Sequence, residues 1–190
     1  MAKPKLAIYW AAACGGCDIA ILDIETKILD VADFFDAVFW PCAMDFKYDD
    51  VRRIEDKGIV LTLFNGAIRS DENYELARLL RQKSLVLCAF GSCASEGCIP
   101  GLANLYSKAS ILDYVYRQSP SLENGNQVMP QPDFDVPEGR LTIPRLWETV
   151  RTLPQVVDVD YIIPGCPPQS DQIAGVVEAV IDILKNNKPL

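Results

Sequence analysis

The stretch GIVLTLFN, residues 58–65, is a short apolar run with almost no polar interruption. A strand that is buried on both faces of a parallel sheet has this pattern, whereas a strand with one solvent face alternates apolar and polar residues. Four similar runs lie elsewhere in the chain: KLAIYW (5–10), FDAVFWP (35–41), SLVLCAF (84–90) and VDYIIP (159–164). The sequence therefore predicts a parallel central sheet of about five strands.

Helical patterns occupy the segments between these runs. Apolar residues recur at helical spacing in residues 18–32, 71–82 and 171–185. The second of these segments follows Ser70, a residue type that caps helix N-termini well. Strands that alternate with helices predict right-handed βαβ units and an α/β fold, in which helices flank a doubly wound sheet. Five strands indicate the flavodoxin-like form of this fold.

One segment departs from this alternation. Residues 118–140, QSPSLENGNQVMPQPDFDVPEGR, are polar, proline-rich and without a period, which predicts an irregular inserted surface loop. At 190 residues the chain is long enough for one well-buried domain and short for two. We expect a single flavodoxin-like domain over residues 1–190, interrupted by this insert.

Composition argues against several classes of function. The formal net charge is −8, whereas binding to nucleic-acid phosphates needs clustered lysine and arginine. The apolar runs are shorter than the roughly 20 residues that a membrane span needs, and the N-terminus lacks an export pattern, so a cytoplasmic location is the expectation. The sequence contains no histidine. This excludes Cys–His and Ser–His–Asp nucleophiles and every zinc site with a histidine ligand.

Seven cysteines remain as candidates for metal or redox chemistry. An odd number in a chain of cytoplasmic character argues against a disulfide framework. Cys14 and Cys17 follow the first predicted strand, Cys93 follows the fourth, and Cys166 follows the fifth. Because ligands of such sheets bind beyond the carboxyl ends of the strands, we expect these loops to bring four thiols to one edge.

Four convergent thiolates suit a [4Fe–4S] cluster or a tetrahedral zinc ion. Glycines near all four cysteines allow close backbone approach, and only one Cys-x-x-Cys pair is present where structural zinc usually has two. Both features favour the cluster. A thioredoxin-like dithiol at Cys14 and Cys17 is a third interpretation, but it leaves Cys93 and Cys166 unexplained.

The remaining cysteines have other interpretations. Cys88 lies inside a predicted strand and is expected to be a small buried core residue. Cys42 ends the second strand near the same edge, and core packing is the favoured interpretation there too. Cys98 follows Cys93 by five residues and could replace it as a ligand.

Acidic residues lie close to the cysteine motifs. Asp18, Asp23 and Glu25 are expected to form a solvated or partner-facing side of a helix. Glu96, between two cysteines, is the carboxylate best placed for a role at the site, although a surface position is the simpler interpretation.

Three motifs in a fixed order are highly specific. CGGC (14–17), GSCASEGCIPGLANL (91–105) and PGCPPQSD (164–171) resemble the small, electron-transfer subunit of [NiFe] hydrogenases. The family also contains the 20 kDa subunit of respiratory complex I, whose first motif has adjacent cysteines. Here Cys14 is followed by a glycine, which favours the hydrogenase branch. The stretch NGAIRSDENYELARLLRQKS (65–84) is also similar to the corresponding part of the family.

The resemblance implies a cofactor and a set of ligands. The proximal [4Fe–4S] cluster of the family is held by two cysteines of the first motif and one from each of the others, which correspond to Cys14, Cys17, Cys93 and Cys166. It also implies an oxidoreductase subunit without catalytic residues of its own. Hydrogen would be activated at a nickel–iron centre in a separate large subunit, and this chain would relay the electrons.

The resemblance also implies partners. IPGLANL (99–105) and the missing export signal look most like the cytoplasmic, methyl-viologen-reducing hydrogenases of methanogens and related anaerobes. Those enzymes often pass electrons to a heterodisulfide-reductase-type subunit, so a further iron–sulfur or flavin protein is expected beside the large subunit.

Two features depart from the family's pattern. Small subunits usually continue into a second, cysteine-rich region, whereas no cysteine follows Cys166 here, so we expect one cluster. Many relatives carry glycine where Cys98 stands. Two alternative functions stay open: a cluster-bearing subunit of an oxidoreductase that does not use H2, and a structural zinc-binding scaffold.

Overall fold

The computed structural model describes residues 3–186 and Lys188. The strands in this part of the chain are β1 (Lys5–Trp10), β2 (Asp36–Phe39), β3 (Ile59–Asn65), β4 (Ile68–Ser70), β5 (Ser84–Phe90), β6 (Asp133–Val136), β7 (Gly139–Thr142), β8 (Leu146–Arg151) and β9 (Tyr161–Ile163). The α-helices are α1 (Gly16–Leu22), α2 (Lys27–Phe34), α3 (Tyr48–Arg53), α4 (Asp71–Lys83), α5 (Ser92–Glu96), α6 (Cys98–Gly101), α7 (Lys108–Asp113) and α8 (Ser170–Lys185). Two 3-10 turns (Leu102–Leu105 and Leu153–Gln155) and a π turn (Tyr114–Gln118) complete the helical elements of these residues.

The central sheet has five parallel strands in the order β2-β1-β3-β5-β9. All five predicted strands are therefore present, with bounds shorter than the apolar runs by up to three residues. The order is the one that flavodoxin-like sheets have, so the predicted α/β fold is confirmed. The position at which the strand order reverses lies between β1 and β3, where ligands of such sheets bind.

Each face of the sheet is covered by helices. On β1, Leu6 and Ile8 point to a core that α1, α2 and α8 cover. Ala7 and Tyr9 point to the opposite core, which α3 and α4 complete. Since both faces are buried, the strands need apolar residues at consecutive positions, which explains the near-continuous runs in the sequence.

The helix predicted at residues 18–32 is two helices in the structure. Helix α1 ends at Leu22, and the amide of the next residue, Asp23, donates to the Ile19 carbonyl at 3.1 Å. Glu25 then takes a left-handed φ of 58° before α2 begins. Ile24, within the break, is still buried against the sheet. The helical spacing of apolar residues therefore continues through a turn, which is why the sequence pattern does not reveal the interruption.

Residues 118–140 are exposed or half-buried, and they are not wholly irregular. Strands β6 and β7 form an antiparallel hairpin that begins inside residues 118–140 and ends at Thr142. The sequence also did not predict β4 and β8, which pair antiparallel beside the central sheet. Trp147 of β8 donates its indole N–H to Asp71 at 2.7 Å, which ties this small sheet to the start of α4.

Asp160, the residue before β9, links β9 to β5 through hydrogen bonds. Its carboxylate accepts the Leu87 amide at 2.7 Å and a guanidinium N–H of Arg81, and its own amide donates to the Leu87 carbonyl at 3.0 Å. Burial acts to raise the pKa of Asp160, but the hydrogen bonds from Leu87 and Arg81 outweigh it and hold the pKa below its ordinary value.

Replacing Asp160 by asparagine is expected to lower the free energy of unfolding by about 1 kcal/mol at neutral pH, because the side chain is partly exposed and the ion pair is screened. A carboxyl group whose folded-state pKa is lowered stabilises the protein above its unfolded pKa of about 3.9 and loses this effect as pH falls through the folded value. The difference from wild type in urea unfolding should therefore begin to fall below about pH 4 and should vanish only at pH values below the lowered folded-state pKa. Asp158→Asn is the control, since the Asp158 carboxylate makes no hydrogen bond to the described residues; an equal loss there would contradict the assignment.

Among residues 3–186 and Lys188, no helix combines the length and the apolar character that crossing a bilayer requires.

Candidate metal centre

The four cysteines singled out by their positions lie at the carboxyl ends of the sheet strands. Cys14 is in the loop after β1, and Cys17 is in the first turn of α1. Cys93 is in α5, directly after β5, and Cys166 is in the loop after β9. Cys17 and Cys93 are each 6% exposed, whereas Cys14 and Cys166 are exposed. The centre therefore has a buried side and a surface side.

Backbone hydrogen bonds hold the second and third loops together. The Gly91 amide donates to the Ile163 carbonyl and the Ser92 amide donates to the Gly165 carbonyl, both at 2.8 Å. The Gly165 amide in turn donates to the Ser92 hydroxyl at 3.3 Å. These bonds continue the pairing of β5 with β9 past the strand ends, so Cys93 and Cys166 are presented by one connected piece of backbone.

Gly91 joins the first motif to the second. Its φ is +82°, a left-handed conformation that glycine adopts without strain. A Cβ at this position would lie 2.4 Å from the Cys17 sulfur. The Cys17 side chain therefore packs directly against the backbone that leads into Cys93.

The thiols are close enough to change one another's ionisation. Burial raises the pKa of Cys17 to about 12, and the neighbouring Cys93 and Cys14 add to this effect. Burial likewise raises the pKa of Cys93 to about 11, with further contributions from Cys98 and Cys166. A shared hydrogen bond with Cys98 is the main cause that raises the pKa of Cys166. Without a metal these groups stay protonated, and a metal that binds them must displace the protons.

Cys98 is a fifth cysteine close to this edge of the sheet, beside Cys93 and Cys166. Cys98 is half-buried at the start of α6 with φ +39°. It contributes to the raised pKa of Cys93 and of Cys166. Its predicted alternative role as a ligand therefore stays open. Within residues 3–186 and Lys188, no three Cys, Asp, Glu or His side chains are grouped as a single metal ion requires.

The other two cysteines lie elsewhere. Cys88 is 2% exposed inside β5, as predicted for a core residue, and burial raises its pKa to about 12. Cys42 is exposed in the turn after β2, so the interpretation of Cys42 as a packed core residue is wrong. The turn that follows Trp40 carries it away from the sheet face.

The prediction that Asp18 lies on a solvated or partner-facing side of a helix is wrong, because its side chain is 2% exposed. Its carboxylate accepts the indole N–H of Trp40 at 3.0 Å and the side-chain N–H of Asn65 at 2.6 Å. Asp23, Glu25 and Glu96 are exposed, as a surface position requires.

The donor set suits an iron–sulfur cluster. Four thiols come from three loops, two of them shielded from water, with glycine backbone against the sulfur of Cys17. Thiolates are the usual ligands of such clusters, and a cluster spreads them over separate irons rather than around one ion.

A family model described as "NADH ubiquinone oxidoreductase, 20 Kd subunit" matches residues 14–180. The chain belongs to this family. The match begins at Cys14 and spans all three cysteine motifs.

Relatives within the 20 kDa-subunit family include hydrogenase subunits. The iron-sulfur subunit of the F420-non-reducing hydrogenase of Archaeoglobus profundus is 42% identical over 178 residues, which cover 93% of this chain and 56% of the relative. The delta subunit of the NAD-reducing hydrogenase HoxS of Cupriavidus necator is 29% identical over 189 residues, which cover 98% of this chain and 81% of the relative. The chain thus spans about half the length of the first of these relatives and most of the second. The predicted resemblance to hydrogenase small subunits is confirmed.

A solved structure of the family has the same fold. A chain in the crystal structure of an NAD+-reducing [NiFe]-hydrogenase in the H2-reduced state superposes with a TM-score of 0.79 at 28% identity. The alignment covers 95% of this chain and 92% of that chain. The α/β fold of this chain is therefore also the fold of a chain of a solved [NiFe]-hydrogenase.

Proposed function

We propose that this chain is the electron-transfer subunit of a cytoplasmic [NiFe] hydrogenase. It holds one [4Fe–4S] cluster through Cys14, Cys17, Cys93 and Cys166 and relays electrons between the H2-activating centre of a separate large subunit and a downstream acceptor. The observation that carries this proposal is the position of the cysteines after β1, β5 and β9 at one edge of the parallel sheet, with the Cys17 sulfur packed against Gly91, two residues before Cys93. Family membership and the names of the relatives support the hydrogenase assignment.

The residues of this chain bind the cluster and shield one side of it from water. Cys17 and Cys93 provide ligands on the buried side of the centre. The exposed Cys14 and Cys166 provide ligands at the surface, where a partner can approach. When bound, the cluster supplies one-electron oxidation and reduction. Its potential depends on net charge, on hydrogen bonds to sulfur and on solvent exposure, and these depend on the protein.

An apolar surface continues from the candidate centre. Ile99, Leu102, Leu105 and Tyr106 follow Cys98 on α6 and the next turn, and they are 68%, 56%, 75% and 65% exposed. Contiguous exposed apolar side chains of this kind mark protein interfaces. We assign this surface to the large subunit, because α6 starts beside Cys93 and Cys166, and electron transfer requires the partner to be close to the cluster. A further iron–sulfur or flavin subunit, of the heterodisulfide-reductase type, completes the proposed path.

Leu105→Asp is expected to weaken binding to the large subunit tenfold or more, about 1.4 kcal/mol, because it places a charge in the centre of an apolar contact. The matched control is Leu29→Asp on α2, since Leu29 is 63% exposed and remote in sequence from the cysteine motifs. Binding is measured by titrating the tagged chain with the large subunit under anaerobic conditions. Equal affinities of the two variants would contradict the assignment of this surface.

The hydrogenase role is tested on the anaerobically purified complex. Addition of H2 should produce the electron paramagnetic resonance signal of a reduced [4Fe–4S] cluster in this chain, and the signal should be absent in the Cys93→Ala complex. A signal that dithionite produces and H2 does not would overturn the hydrogenase role. That result would favour the oxidoreductase that does not use H2.

A further inference from the structure

A buried carboxylate lies beside the first cysteine motif. Asp18 directly follows Cys17 in the first turn of α1 and is 2% exposed. Removal of a carboxylate from water is costly unless hydrogen bonds or a cation compensate it. The contacts of Asp18 therefore show what keeps it there.

Hydrogen bonds compensate Asp18, and a cation does not. Trp40, after β2, and Asn65, at the end of β3, each donate one N–H to the carboxylate, at 3.0 and 2.6 Å. Among the described residues no lysine or arginine forms a salt bridge with Asp18. The negative charge is thus held in place but not neutralised, and in a low-dielectric interior its field reaches its neighbours.

Asn65 has no other side-chain hydrogen bond in the described part of the chain. The residue is fully buried, and its side-chain oxygen has no hydrogen-bond partner there. Among the described residues the one side-chain hydrogen bond of Asn65 is therefore the one that it donates to the Asp18 carboxylate.

The charge acts on the cysteine sulfur. Asp18 is the residue next to Cys17 in the first turn of α1, and both side chains are buried, at 2% and 6% exposure, so little water lies between the carboxylate and the sulfur to screen the charge. The Asp18 carboxylate therefore disfavours additional negative charge at the Cys17 sulfur. It would disfavour in the same way the electron that a bound cluster accepts on reduction.

We propose that Asp18 is a positioning residue that lowers the reduction potential of the cluster. The inference rests on the proposed function. Its carboxylate ties α1, which carries Cys17, to the ends of β2 and β3, and its charge, which no cation neutralises, disfavours the reduced, more negative cluster. The chain would thereby hold a low-potential electron relay although the surface side of the centre is exposed.

The test is a potentiometric titration of the anaerobically purified complex, followed by electron paramagnetic resonance. Asp18→Asn keeps the shape and removes the charge. Its new amide N–H can face Asn65, whose side-chain amide needs only to turn over so that the unpaired oxygen accepts it. We expect full iron and sulfide content and a more positive midpoint potential. The control is Asp23→Asn, which removes the same charge from the exposed end of α1 and should leave the midpoint unchanged because solvent screens it.

Trp40→Phe provides the opposite change. It keeps the carboxylate but removes one of its two donors, so the charge is less compensated and the midpoint should move to a more negative value. An unchanged midpoint in cluster-loaded Asp18→Asn, or an equal shift in Asp23→Asn, would overturn the inference. If Asp18→Asn does not retain the cluster, an unchanged midpoint in Trp40→Phe overturns it. Absence of a cluster from the wild-type complex would instead overturn the proposed function.

Discussion

Cys17→Ala is expected to abolish the iron–sulfur absorption of this chain or to convert the cluster to a form with three irons or fewer, because each ligand anchors one iron. The matched control is Cys88→Ala, since Cys17 and Cys88 are both buried, at 6% and 2% exposure. Cys88→Ala should retain all iron and cost about 1–2 kcal/mol of stability, as a small core truncation does. Iron, sulfide and visible absorption are measured on anaerobically purified protein.

The exposed cysteines give a second matched pair. Cys166→Ala should lose the cluster and Cys42→Ala should keep it, although both thiols are exposed. Loss in all four variants would indicate that general destabilisation, and not ligand removal, is the cause. Retention in Cys93→Ala together with loss in Cys98→Ala would move the ligand of the second motif to Cys98.

Gly91→Ala is expected to reduce the iron content by half or more, with all cysteines intact. The added Cβ would lie 2.4 Å from the Cys17 sulfur, and φ is +82°, so either the thiol or the loop that carries Cys93 must move. Gly101→Ala is the control, because no atom lies within 4 Å of a Cβ at that position and the backbone there is helical. Iron per chain is measured by inductively coupled plasma mass spectrometry. Full iron content in Gly91→Ala would contradict the close packing of Cys17 against Gly91.

The central sheet could be predicted from the sequence because burial of both faces imposes a strong pattern. In β3, six of seven residues are buried, including the polar Thr62 and Asn65, so the strand reads as one apolar run. The convergence of the cysteine loops follows from the same fact, since parallel strands end at one edge. In the structure the four cysteines follow the ends of β1, β5 and β9, and their role as cluster ligands stays a prediction.

The environment of Asp18 could not be predicted from the sequence. Its hydrogen-bond donors lie 22 and 47 residues away, and neither Trp40 nor Asn65 carries a local signal that marks it as a partner. On sequence alone an aspartate in a short helix near other carboxylates indicates a solvated surface. Only the order of the strands, which places the ends of β2 and β3 on either side of β1, brings these donors to it.

The strands that the sequence did not predict pair outside the main sheet. Strand β8 is mostly exposed, with Trp147 half-buried and Val150 buried, and it pairs with the three-residue β4, so neither has a long apolar run. Cys42 is exposed because it lies in a turn beyond the end of β2, which the Ala43 and Met44 amides close by donating to the Trp40 carbonyl at 2.9 Å.

Metal and sulfide analysis of the anaerobically purified wild-type protein tests the central claim most directly. A single [4Fe–4S] cluster predicts about four irons and about four acid-labile sulfides per chain, with zinc well below one. About one zinc per chain without sulfide would contradict the electron-transfer role and favour a structural scaffold.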